Sequence, residues 1–149
     1  MTLFFVITFL IFGLLIFAFF WVKGHFGVWG ALVAQRRTKI PPIGTLSDID
    51  GIGVWRGVEE PKKKNLSNHL SYDFCYINYL EKGLLFSPPR FWTFFIPQVI
   101  IPWQEIDILK IEKGWFSRRL LLHDKWVNVT FSIDCKHYES VMERINSSK

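Results

Sequence analysis

The residues that most readily do chemistry are sparse in this sequence. Its four histidines are His25, His69, His123 and His137, and its two cysteines are Cys75 and Cys135. No H-E-x-x-H or H-x-x-E-H pattern links the histidines, and the run Cys135-Lys136-His137 has no second cysteine at zinc-ligand spacing. Sequence therefore nominates no metal ligand, no cofactor and no catalytic residue. G-x-S-x-G, P-loop and G-x-G-x-x-G patterns are also missing, and Gly51-Ile52-Gly53 reads as a turn-like fragment. His123-Asp124 falls where a hairpin turn is expected, and aspartates serve turns far more often than they serve catalytic dyads. In a cytoplasmic domain Cys75 and Cys135 are expected to be reduced packing residues; in an exported one they would be able to pair.

A different kind of chemistry is offered by Arg90-Phe91-Trp92-Thr93-Phe94-Phe95-Ile96, with four aromatics in five residues. At about 25 cal/mol per Å² of apolar surface, four such side chains cannot all face water cheaply. Arg90, Phe91, Trp92, Phe94 and Phe95 are thus candidates either for the core or for contact with a membrane or a partner, Arg90 being placed to meet a headgroup phosphate. A second candidate set is basic. Lys23, Arg36, Arg37 and Lys39 precede the first acidic residue of the chain.

The element that would carry these groups to a membrane is the amino-terminal segment. Leu3 to Val22 contains 20 consecutive residues without a formal charge. At about 1.5 Å per residue they span about 30 Å as a helix, the thickness of a hydrocarbon core. The segment lacks the basic n-region and small-residue cleavage site of a signal peptide and ends in Phe19-Phe20-Trp21, so an uncleaved single-pass anchor is expected over residues 1–22. The basic excess on its carboxyl side predicts that the remainder faces the cytoplasm. Of the 18 lysines and arginines only 14 follow residue 40, against 13 acidic residues, so the net charge of +5 is mainly a juxtamembrane property. No basic stripe is left for a nucleic-acid interface. The run Lys62-Lys63-Lys64 reads as a solvated loop.

Residues 23–44 are expected to link anchor and domain. Within them Phe26, Trp29, Leu32 and Val33 fall at helical spacing, which fits equally an interfacial helix with its arginines on anionic lipid or a helix continuing the anchor or packing on the domain. Gly24, Gly27 and Gly30 permit a bend there.

Residues 45–149 read as one domain. A loop-rich stretch over 45–65 holds a short strand near Ile52 to Trp55. Tyr72–Leu80 and Leu84–Ser87 form a hairpin about Glu81-Lys82-Gly83. Val99–Ile101 and Ile106–Lys113 follow, with a turn at Gly114-Trp115. A second hairpin joins Arg118–His123 to Trp126–Ile133, whose alternation predicts a half-buried strand. After Asp134, a good N-cap, Tyr138, Val141, Met142 and Ile145 mark an amphipathic helix of about three turns. The fold class is therefore α+β: an amino-terminal transmembrane helix, then a curved antiparallel sheet or barrel closed by a carboxyl-terminal helix.

The stretch YLEKGLLFSPPRFWTFFIPQVIIPWQEI, Tyr79 to Ile106, resembles a pattern in small bacterial membrane proteins with pleckstrin-homology or GRAM-like domains. In these a pair such as Gly83-Leu84 opens a strand and Ile101-Pro102-Trp103 precedes an acid such as Glu105. Trp29 to Arg37 resembles the stretch that follows the anchor in such proteins. The resemblance implies a PH-like fold and a location in the bacterial inner membrane, and no particular ligand. The function expected is a membrane-anchored, non-enzymatic interaction module with the bilayer, and a protein or anionic lipid, as partner. The rival is a lipid-binding or lipid-handling domain, which predicts an apolar pocket with basic residues at its mouth. An enzyme is the least supported class, since no nucleophile or acid–base pair is nominated.

Overall fold

Leu, Ile and Phe crowd every face of the first helix, so no soluble packing arrangement is encoded in it; the stripes and alternations that specify a core begin after it. The computed structural model describes residues 2–40, 49–63, 69–113 and 117–148. Helix α1 runs Thr2–His25, and α2 runs Gly27–Arg36. Seven strands follow: β1 Ile49–Arg56, β2 His69–Leu80, β3 Gly83–Ser87, β4 Val99–Ile101, β5 Ile106–Lys113, β6 Arg118–Asp124 and β7 Val129–Asp134, and α3, Tyr138–Ser147, ends the domain. The chain is thus α+β.

All pairings are antiparallel, in the order β4-β3-β2-β1-β7-β6-β5. Between the two edge strands β4 and β5 no pairing occurs among the described residues, so the sheet is open rather than a closed barrel. It is nonetheless strongly curled. Phe86 on β3 and Phe131 on β7 are three strand positions apart, about 14 Å in a flat sheet, yet their rings stack with centroids 4.8 Å apart. The hollow they share is filled from both ends of the chain. Val28, Trp29 and Leu32 of α2 and Val141 and Ile145 of α3 belong to one buried cluster with Ile52, Val54, Leu84, Val99, Leu120 and Leu122. Two helices, not one, line the sheet.

Pro97 and Pro102 bracket β4, since proline cannot donate to a ladder, and this punctuation delimits β4 and β5 at the residues expected from sequence. The first hairpin also forms as expected, turning at Glu81-Lys82. Gly83 is required at its far side: a Cβ there would sit 2.2 Å from the carbonyl oxygen of Ile101.

Three strand expectations are revised. β1 is a central strand, paired on both sides, and is longer than the short strand read near Ile52 to Trp55. β7 begins at Val129 rather than Trp126, because Lys125–Asn128 form the turn: Asn128 adopts a positive φ of 56° and Trp126 is exposed. β7 is also covered on both faces, Thr130 and Ser132 being as buried as Phe131 and Ile133. Asp134 caps as expected, but it opens a 3₁₀ turn over Cys135–His137, from which α3 continues. The turn expected at Gly114-Trp115, the breakers Pro41-Pro42 and Gly44, and Lys64 lie outside the described residues.

Candidate functional site

The bend permitted by glycine falls at Gly27, whose φ of 66° ends α1 and starts α2 in a new direction. Beyond it, the helical stripe of α2 faces the domain. Val28, Trp29 and Leu32 are fully buried, Val33 packs against the core, and the Trp29 indole donates to the carbonyl of Pro97 at 3.0 Å. Phe26, outside the helix, is exposed.

Two adjacent arginines at the end of α2 have opposite surroundings. Arg36 turns inward: its guanidinium donates to Asp124 through Nε at 3.0 Å and Nη2 at 3.2 Å, and through Nη2 to Glu105. Burial works against its charge, but the hydrogen bonds and negative charges of Asp124 and Glu105 outweigh burial and raise its pKa. Asp124 is fully buried and also accepts from the backbone N–H groups of Trp126 and Val127, so it closes the β6–β7 turn. This is the turn role expected of it. His123 bonds Thr130 instead, and Thr130 donates to the carbonyl of Gly57.

Arg37 and Lys39 turn outward. Arg37 bridges to Val99, and the Thr38 N–H donates to the Gln98 carbonyl at 3.2 Å, so the chain leaving α2 runs beside the edge strand β4. Here Arg37, Thr38, Lys39 and Ile40 face Arg90, Thr93, Pro97 and Gln98 across a cleft of about 510 Å³. Among the described residues no acidic residue lines it, and no ion pair engages Arg37, Lys39 or Arg90.

The aromatic segment adjoins this cleft and touches α1. Arg90–Trp92 form a 3₁₀ turn, with the Thr93 hydroxyl donating to the Arg90 carbonyl. Phe17 of α1 packs on Phe94 and Phe95 with centroids 6.1 and 5.0 Å away, and Phe20 packs on Trp92 at 4.7 Å. Ile96 is buried and Phe95 packs on the core, whereas Phe94 is 69% exposed. The segment therefore divides between core and surface. Along α1 no apolar side chain from Phe4 to Val22 is buried in the protein. The side chains of Lys23 and Phe91 lie outside the described residues.

One further polar cluster joins residues far apart in the sequence. The Asp50 carboxylate accepts from the Lys136 ammonium at 2.6 Å and meets His137 Nε2 at 2.8 Å, while His137 Nδ1 meets the Tyr79 hydroxyl. The order Asp–His–hydroxyl resembles a catalytic relay, but its terminal member is a phenol that burial first, and the Asp50 charge as well, push up to about 12. Held neutral in this way, Tyr79 is a poor nucleophile, and the chain ties the turn before α3 to β1 and β2. Burial likewise raises the pKa of the Cys75 thiol, which suppresses its thiolate chemistry. Both cysteines are free thiols. Among the described residues no three His, Cys, Asp or Glu side chains group to hold a metal ion.

Comparison with protein-family models, with curated proteins and with solved structures finds no match to this chain.

Proposed function

We propose that this chain is a membrane-anchored, non-enzymatic interaction module in which α1 crosses the bilayer once and holds a PH-like domain at the cytoplasmic face of a bacterial inner membrane. The observation that carries the reading is the packing of Phe17 and Phe20 on Trp92, Phe94 and Phe95. A cleaved leader would leave that aromatic surface bare, whereas a retained helix keeps it covered on one side and places its other side in lipid. Phe17 lies four residues before Trp21, or about 6 Å deeper along the helix. With Trp21 at the interface, Phe94 and Phe95 reach the acyl region beside the anchor. The strand order, a meander of β1–β4 beside one of β5–β7 followed by a helix, supports the PH-like assignment.

Carbonate extraction of membranes from cells expressing the full chain tests the anchor. The protein is expected to stay in the pellet, and deletion of residues 1–22 is expected to release it. Recovery of a mature protein that lacks those residues would overturn the reading.

A further inference from the structure

We propose that the cleft between Arg37–Ile40 and Arg90–Gln98 binds the phosphate of an anionic phospholipid headgroup. This rests on the anchoring reading above and gives the module its ligand class.

Three observations converge. First, charge: Arg37, Lys39 and Arg90 line one cleft of about 510 Å³, and among the described residues no carboxylate lines it and none of the three has an ion-pair partner. The contrast with Arg36 is informative, because that neighbouring arginine is paired with both Glu105 and Asp124 on the inner side of α2. Three unpaired cations brought together by separate segments repel one another, which is tolerable where an anion completes the set. Second, rigidity: the two walls are joined by the Arg37–Val99 bridge and the Thr38–Gln98 backbone bond, and the floor is fixed by the bond from the Gln98 side-chain amide to the Ser87 hydroxyl at 2.7 Å. Preorganised walls spare a ligand the cost of ordering them. Third, depth: Thr93 lines the cleft and is followed at once by Phe94, which packs on Phe17 of α1. Arg90 is one 3₁₀ turn back from that point. When Phe94 lies among acyl chains, the cleft opens at the level of the phosphates. Two arginine forks suit phosphate oxygens bidentately, with Lys39 as a third point charge and Thr38 as a neutral donor.

Native mass spectrometry of the full chain in detergent, titrated with phosphatidylglycerol or with phosphatidylcholine of the same acyl length, tests the site. The wild-type protein is expected to retain phosphatidylglycerol preferentially. Replacing Arg37, Lys39 and Arg90 together by Gln is expected to weaken its binding on the order of a hundredfold, since each basic contact near an anionic lipid surface contributes about a decade or a little less. The matched replacement of the exposed Lys113, Arg118 and Arg119, on the other edge hairpin, removes the same charge and is expected to leave the preference intact. Equal losses in both variants would reduce the effect to overall charge and overturn the site, as would retention of the preference in the first. Thermal stabilisation by inorganic phosphate alone, matching that by the lipid, would overturn the lipid source. Should the triple variant melt early, Arg90→Gln alone is read in the same way. A variant that stays carbonate-resistant while losing the preference supports the cleft. A wild type that resists carbonate without any preference overturns the cleft and spares the anchor, and a wild type that carbonate extracts overturns the anchor and this inference with it.

Discussion

Arg36 and Arg37 are identical residue types one position apart, and they differ because Arg36 is the last residue of α2 whereas Arg37 leaves the helix extended beside β4. Arg36 meets a fully buried carboxylate, so its loss strands a charge. Arg36→Ala is expected to cost about 3–5 kcal/mol, as breaking a buried pair does, whereas Arg37→Ala should stay within about 0.5 kcal/mol; denaturant melts of the detergent-solubilised chain measure both. Sequence assigned the two arginines together to the juxtamembrane basic set. Their charge was legible, but the partners lie 69 and 88 residues away, and nothing local reveals which arginine turns inward. A second expectation at this scale concerns pH. Tyr79 is raised from 10.0 to about 12, so its burial favours the fold fully below about pH 10 and that contribution is lost as pH climbs towards 12. Tyr79→Phe removes this ionisation. Its melting temperature is expected to fall less steeply than wild type between pH 10 and 12, and parallel curves would place the ionisation elsewhere.

At the scale of elements, proline and alternation carried most of what could be read. β4 is bracketed by Pro97 and Pro102, and β2 and β3 are joined by a short polar turn, so local chemistry sets their limits. Gly51 and Gly53 dilute the local pattern of β1, whose length is set by two neighbouring strands that no local signal announces. For β7 the alternation was real, but it could not reveal a second covered face. Phe131, stacked on Phe86, is expected to cost about 3–5 kcal/mol on change to Ala. Asn128 does not share that strand. At a φ of 56°, Asn128→Gly should be tolerated while Asn128→Ala costs about 1 kcal/mol, because side chains with a Cβ disfavour the left-handed region. A larger loss in the glycine variant than in the alanine variant would show that the side chain, not the backbone, holds the turn.

For the whole molecule, the apolar length of α1 and the basic bias beside it are properties of the linear chain, whereas the seating of α2 in the core and the contact of α1 with the aromatic segment depend on the assembled fold. That division bears on orientation. In the insertion proposed here, Lys23, Arg36, Arg37 and Lys39 would all act as unfolded basic residues within about 20 positions of the span, and the positive-inside bias would count them before Arg36 finds Asp124. The domain is therefore expected in the cytoplasm. A cysteine at the exposed Lys63, with Cys75 and Cys135 replaced, should be shielded from a membrane-impermeant thiol reagent in intact cells and labelled after lysis; labelling in intact cells would place the domain outside. Changing all four basic residues would confuse topology with stability, since Arg36 holds a buried carboxylate. The cleaner variant changes Lys23, Arg37 and Lys39 to Gln and leaves Arg36 in place. It is expected to give a mixed population, part labelled before lysis and part after. If it remains fully shielded, flanking charge is not what orients the chain, and folding of the domain on the synthesis side before the span inserts becomes the cause.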